Sequence, residues 1–212
     1  MGLLFIKELE GAALGVWEIT ETLSQLEKAA VLTPDEVLDY ECLKTPLRKK
    51  HWLSYRLITP HLSTHLNPTG ISYDAFGKPH PNDRSGFLSV AHSGKFSVMI
   101  ASRAKPVGVD IEHIHPKIRR VSHKFLSKEE IAWLGPDPGL ESLYLIWGAK
   151  ESLFKLHGKG QLGFSEQLHI EPFVYTGSGV AHGHMSTKEG RTAHLLHYDT
   201  IDDYVLVYTV FR

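Results

Sequence analysis

Val107-Gly108-Val109-Asp110-Ile111-Glu112 reads as a strand whose successive side chains alternate between two faces. Asp110 and Glu112 then point to one face, where Gly108 leaves room, while Val109 and Ile111 point to the opposite, apolar face. The stretch has a counterpart near the start of the chain in Leu14-Gly15-Val16-Trp17-Glu18. Further on, Trp52-Leu53-Ser54-Tyr55-Arg56 stands at a similar offset from the first stretch as Trp147-Gly148-Ala149-Lys150-Glu151 does from the second. Each half reads strand, helices, long helix, strands. Matching order at nearly matching offset points to an internal duplication. The expected fold is α+β, built from two similar halves, residues 1–104 and 105–212, the second carrying the paired carboxylates.

The elements around these anchors follow from caps and breakers. In the first half, Gly15–Thr20 alternates as a strand and Leu23–Ala30 reads as a helix. Thr33, Pro34 and Glu36 form a cap, a first-turn proline and a capping box. Thr45-Pro46 repeats the cap and opens a long helix toward Leu66, interrupted or ended near Pro60. Strands are expected at Ile71–Tyr73, Phe87–Ala91 and Ser97–Ala101, with Gly77–Gly86 as a loop. In the second half, Ser127 and Glu130 open a short helix, and Leu140–His157 is a long one ended by Gly158. Alternating runs at Leu168–Tyr175, Val180–Ser186, Ala193–Tyr198 and Tyr204–Phe211 predict an antiparallel sheet.

Composition narrows the function classes. Across 212 residues the net charge is −1, so the molecule as a whole is not a nucleic-acid-binding surface, and any anion site is a local cluster. The single cysteine, Cys42, permits no disulfide within the chain and reads as structural, in keeping with a reducing compartment. The apolar run Leu3–Ile6 is too short for a signal-peptide core, and no stretch nears the roughly 20 apolar residues needed to cross a bilayer. A cytoplasmic protein without membrane association is expected. The 14 histidines include the close pairs His113/His115 and His182/His184, but a second pair at zinc-site spacing is missing from the sequence.

The residues able to do chemistry fall into short clusters. Two carboxylates side by side, Asp110 and Glu112, repel unless solvent, a basic partner or a hard cation relieves them. On a helix, Trp147, Glu151 and Lys155 share a stripe with Lys150 beside it, which reads as a solvated ion pair or as a further carboxylate with lysines for phosphate oxygens. Gly77-Lys78-Pro79 holds a lysine in a loop, and Ala91-His92-Ser93-Gly94 turns a strand with two possible phosphate donors. The basic run Arg48-Lys49-Lys50-His51, with Arg56 eight residues after Arg48, makes a basic helix face. Such a face is either solvated or suited to a phosphomonoester.

Taken in order, Gly77-Lys78-Pro79, Ala91-His92-Ser93, Val107–Glu112, and Trp147 with Lys150-Glu151 and Lys155 resemble the Sfp-type phosphopantetheinyl transferases. Phe125-Leu126-Ser127 with Glu129-Glu130 looks like that family's connecting segment, and Gly158-Lys159-Gly160 like the close of its long helix. The resemblance spans Arg48 to Gly160. Ala91 departs from it at a commonly hydroxyl-bearing position, and Gly148 departs after Trp147.

The resemblance implies a pseudo-dimer of two α+β halves with the site between them. It implies Mg²⁺ held by Asp110, Glu112 and Glu151, with Glu151 also assisting deprotonation of the incoming serine, directly or through a metal-bound water. It implies Lys155 on the pyrophosphate of coenzyme A, helped by Lys150. Lys78, His92 and Ser93 would contact the phosphates, and Arg48 and Arg56 the 3′-phosphate. The reaction implied transfers phosphopantetheine from coenzyme A to a serine of an apo acyl or peptidyl carrier protein, with 3′,5′-ADP released. The partners are then coenzyme A and a carrier protein, with no nucleic acid and no membrane, and a monomer suffices. The alternative is a protein that binds coenzyme A or the carrier without catalysis. The basic segment Lys117, Arg119, Arg120, His123, Lys124 and Lys128 is expected to dock the carrier.

Overall fold

The computed structural model describes residues 2–66, 68–160 and 162–211. The chain divides into two compact units, one running to Val107 and the other starting at Gly108. Both mix helices with antiparallel sheet, an α+β fold.

The first unit opens with a hairpin, β1 (Leu3–Leu9) and β2 (Ala12–Glu18), followed by helices α1 (Leu23–Ala29), α2 (Pro34–Glu41) and α3 (Pro46–Ile58). Then come β3 (Ile71–Tyr73), β4 (Pro79–Pro81), β5 (Phe87–Ser93) and β6 (Phe96–Ser102). The main sheet has the order β1-β2-β6-β5, and β3 and β4 form a separate ladder. Thr33 and Glu36 make the expected capping box on α2, and Thr45 caps α3. The long helix ends at Ile58 and tightens into a 3-10 turn over Thr59–Leu62, because Pro60 cannot continue the α-helical hydrogen bonds. Its apolar side, with Trp52, Leu53, Tyr55 and Ile58, packs into one core with Trp17, Leu88 and Met99.

Two strands of this unit lie outside the sequence expectation. β1 is an edge strand with Lys7 and Glu8 in it, so its apolar alternation is blurred. β4 lies in the stretch read as a loop, its prolines tolerated because its ladder has only two strands.

The second unit contains β7 (Val107–His113), a single helical turn α4 (Ile118–Val121), α5 (Lys128–Leu134) and α6 (Leu140–His157). The sheet is completed by β8 (Leu168–Ile170), β9 (Ser178–Thr187), β10 (Gly190–Ile201) and β11 (Tyr204–Val210), in the order β7-β11-β10-β9-β8. β8 stops well short of Tyr175, since Pro172 disfavours further pairing. Gly158 ends α6 in the left-handed conformation, φ 62°, that a residue with a Cβ adopts at a cost. The helix lies on β11, where Ser152 Oγ donates to the Val207 carbonyl at 2.9 Å. Leu145, Ile146, Ala149 and Leu153 are fully buried against the sheet's Leu196, Val205 and Val207. Among the described residues no helix is long and apolar enough to cross a membrane.

Candidate active site

The carboxylate face of β7 meets α6 because small residues line the contact. A Cβ on Gly108 would stand 2.0 Å from the Ser152 carbonyl oxygen and 3.1 Å from the Leu156 nitrogen. The room that Gly108 leaves is therefore filled by the helix backbone itself. On the helix side, a Cβ on Gly148 would come within 3.0 Å of Val207 Cγ2 and 3.6 Å of Asp110 Oδ2. This close approach puts Asp110 and Glu112 beside the stripe that carries Trp147, Glu151 and Lys155.

Asp110 is only 5% exposed. Its Oδ1 accepts from Lys155 Nζ at 2.8 Å, and the same ammonium donates to the Val109 carbonyl at 3.0 Å. Asp110 Oδ2 is buried without a hydrogen-bond partner. Glu112 Oε1 accepts from the Trp147 indole at 3.0 Å. Burial and the neighbouring Asp110 push the Glu112 carboxyl above its ordinary range, against the opposing Trp147 bond and Lys155 charge. Glu151 is pushed up to about 7, first by burial, then by Asp110, with Lys155 opposing. The role of Trp147 as partner to Glu112 was not read from the sequence, although its place four residues before Glu151 was the available signal.

Among the described residues, no three histidine, cysteine, aspartate or glutamate side chains form a ready-made metal cage. What the site offers is crowded acid groups, one oxygen left orphaned and one lysine as counter-charge. A hard cation that takes one or two carboxylates and fills its shell with water and phosphate suits that donor set.

Two expected phosphate contacts are corrected. Lys150 is fully buried, and its ammonium is committed to Glu130 Oε2 at 2.6 Å and to the carbonyls of Phe125 and Phe164 at 2.6 and 2.8 Å. Arg56 is 8% exposed and bonds Glu36 Oε1 at 2.8 Å and the Tyr55 hydroxyl at 2.8 Å, with its guanidinium over the Trp52 ring. Eight residues on from Arg48, it points into the core of its unit rather than sharing an open basic face.

The remaining candidates belong to the first unit. Arg48 Nη1 is hydrogen-bonded to His92 Nε2, and the His51 ring stacks on His92 with centroids 4.3 Å apart. His51 is itself anchored to the Gly94 carbonyl at 2.8 Å. Ser93 ends β5 directly after His92. Lys78 is half-buried, which draws its ammonium below the usual lysine range against the opposing charge of Asp74. Asp74 Oδ1 fixes that loop by accepting from the Phe76 and Lys78 amides at 2.9 and 3.0 Å. Cys42 is exposed at the end of α2. Lys117, Arg119, Arg120, His123, Lys124 and Lys128 are all exposed, and Arg119 pairs with Asp137 at 2.9 Å.

Comparison with known proteins converges on one family. The 4′-phosphopantetheinyl transferase superfamily profile matches residues 106–209. A 4′-phosphopantetheinyl transferase of Bacillus subtilis is 35% identical over 101 residues, 45% of this chain and 45% of that protein. The transferase Sfp of Bacillus subtilis strain 168 is 33% identical over 106 residues, 46% of this chain and 47% of its own length. AcpT of Escherichia coli K12 is 31% identical over 117 residues, covering 52% and 59%. The chain thus spans about half the length of these curated relatives, and the profile match takes in β7, α6 and every carboxylate of the candidate site. The second unit thus matches the 4′-phosphopantetheinyl transferase superfamily and is similar to its Sfp-type members.

Proposed function

We propose that this protein transfers the 4′-phosphopantetheine group of coenzyme A to a serine hydroxyl of an apo acyl or peptidyl carrier protein. The observation that carries the reading is the crowding of Asp110, Glu112, Glu151 and Lys155, with Asp110 Oδ2 buried and unpartnered. A structural module has no need of an orphaned buried carboxylate oxygen, which costs stability.

In this reading the serine oxygen forms a bond to the β-phosphorus of coenzyme A. The bond from that phosphorus to the bridging oxygen breaks, and 3′,5′-ADP leaves with the electron pair. The serine proton passes to Glu151, which acts as the general base. Lys155 holds a fixed positive charge beside the pyrophosphate, where negative charge spreads in the transition state. Asp110, Glu112 and Glu151 would hold Mg²⁺, which when bound neutralises phosphate oxygens. Arg48, His92, Ser93 and Lys78 would contact the phosphates of the nucleotide. The Arg48–His92 bond and the loop that fixes Lys78 support this, since both hold phosphate-compatible donors in place before a ligand arrives. The exposed basic segment from Lys117 to Lys128 would dock an acidic carrier. A single copy of the chain suffices, and the substrates put the reaction in the cytoplasm.

The test is the intact mass of a purified apo carrier after incubation with the protein, coenzyme A and Mg²⁺. The expected result is a gain of one phosphopantetheine, lost with EDTA and in Asp110→Ala and Glu151→Ala. No gain on several unrelated carriers overturns the reading.

A further inference from the structure

We propose that Lys150 and Glu130 are positioning residues, a buried knot that fixes the stretch of α6 carrying Glu151 and Lys155. The functional half of this proposal rests on the transferase reading above. Lys150 precedes Glu151, so their side chains leave the helix about 100° apart. One points into the core and the other to the candidate site. All three ammonium protons of Lys150 have acceptors, in Glu130, Phe125 and Phe164, so none remains for a phosphate.

Glu130 is as buried as its partner and completes the knot. Its Oε2 also accepts from the Ser127 amide at 2.7 Å, closing the capping box of α5. Its Oε1 accepts from the Ile170 amide at 2.8 Å. One carboxylate therefore ties together the start of α5, strand β8 and the middle of α6.

The first unit contains the same wiring. Glu36 closes the capping box of α2 by accepting from the Thr33 amide at 3.1 Å. It accepts from the Ile71 amide on β3 at 3.1 Å and from Arg56 of α3 at 2.8 Å. There the residue after the cation is Leu57; in the second unit it is Glu151. The knot is thus a device of the fold used twice, and in the second unit it also sets where a reactive carboxylate stands.

Two variants test this. Lys150→Met removes the cation, and Lys150→Met/Glu130→Gln leaves no unpaired buried charge, so it keeps the test valid if the single variant does not fold. Calorimetric titration with coenzyme A in EDTA should show the double variant losing no more affinity than Lys155→Met, because the knot reaches the pyrophosphate only through Lys155. Turnover at saturating coenzyme A and Mg²⁺ should fall about 100-fold, the cost of a misplaced reacting group. A loss of coenzyme A affinity in EDTA about tenfold or more beyond that of Lys155→Met, the effect of deleting a further charge-assisted bond, would overturn the proposal. Hydrogen exchange supplies a readout independent of activity. Amides of residues 148–157 should exchange faster in the double variant while β9 and β10 stay protected. Unchanged exchange in that stretch refutes the knot whatever the protein catalyses. A wild-type protein that binds no coenzyme A, yet shows the faster exchange in the variant, would sink the transferase reading and leave the positioning role intact.

Discussion

Lys155 Nζ bridges Asp110 Oδ1 at 2.8 Å and the Val109 carbonyl at 3.0 Å, so a single ammonium clamps the end of α6 to strand β7. It is also the charge that opposes burial at both Glu112 and Glu151. Lys155→Met should therefore drive the Glu151 carboxyl higher than about 7. A carboxyl-carbon NMR titration of the metal-free protein reads this directly. Transfer activity should fall about 100-fold or more, as when a preorganised charge is removed from a phosphoryl-transfer site. A Glu151 titration that does not move would mean that the clamp is screened and does not set the site's charge.

Gly108→Ala should be severe although it adds one methyl group. The new Cβ would meet backbone, not a flexible side chain, at 2.0 Å from the Ser152 carbonyl oxygen. The helix has to move off the strand, and Lys155 and Glu151 move with it. The expected cost is about 3 kcal/mol of stability in urea denaturation, at the upper end for overpacking. A variant with wild-type stability would show that α6 can slide on the sheet at no cost.

The caps were legible in the sequence because they are local. Thr33 with Glu36 and Ser127 with Glu130 carry their signal within four residues, and Gly158 marks the end of α6 by itself. Asp110 and Glu112 were legible as a shared face because strand alternation needs only the strand. What Lys150 and Arg56 do was hidden for the converse reason. Their partners Glu130 and Glu36 lie twenty residues away, and Ile170 and Ile71 pair from further on, so only tertiary packing shows that these charges are buried. A charge-rich motif reads the same whether its cations face solvent or core. β1 was missed for a related reason: an edge strand tolerates Lys7 and Glu8, which obscure its period.

Trp147→Phe keeps an aromatic side chain, though smaller than the indole, and deletes one donor, the indole N–H that Glu112 accepts at 3.0 Å. That bond holds the Glu112 carboxyl down against burial and Asp110. Its loss should raise the Glu112 carboxyl further and weaken Mg²⁺ binding about tenfold, the usual cost of losing a group that orients a ligand. Isothermal titration with Mg²⁺ in the presence of 3′,5′-ADP measures it. Unaltered affinity would exclude Glu112 from the proposed ion site.

The basic stretch after β7 can be tested by charge reversal. Arg120 and Lys124 are exposed, whereas Arg119 is engaged with Asp137. Arg120→Glu/Lys124→Glu should raise the KM for an acidic carrier about tenfold through lost electrostatic complementarity, more strongly at low salt. An unchanged KM rules this face out as the docking surface.

The protonation of Glu151 has a stability signature with a definite sign. The ordinary carboxyl titrates near 4.5, and in the fold Glu151 is pushed up to about 7 by burial and by Asp110. The native state thus holds this proton more tightly than the unfolded chain does, so stability falls as pH rises between those two values, and the full penalty persists above them. Glu112 is displaced in the same direction and adds to the slope. Glu151→Gln removes the Glu151 contribution while keeping the shape of the side chain. In EDTA, wild type and Glu151→Gln should melt at nearly the same temperature near about pH 4.5, with the variant increasingly the more stable toward about pH 8. Adding Mg²⁺ at the higher pH should restore the wild type, since a ligand that binds only the folded state stabilises it, and should restore the variant less. Melting curves of the two proteins that run parallel across this range would show that Glu151 is solvated like a surface carboxylate, and its assignment as the base would fall with that result.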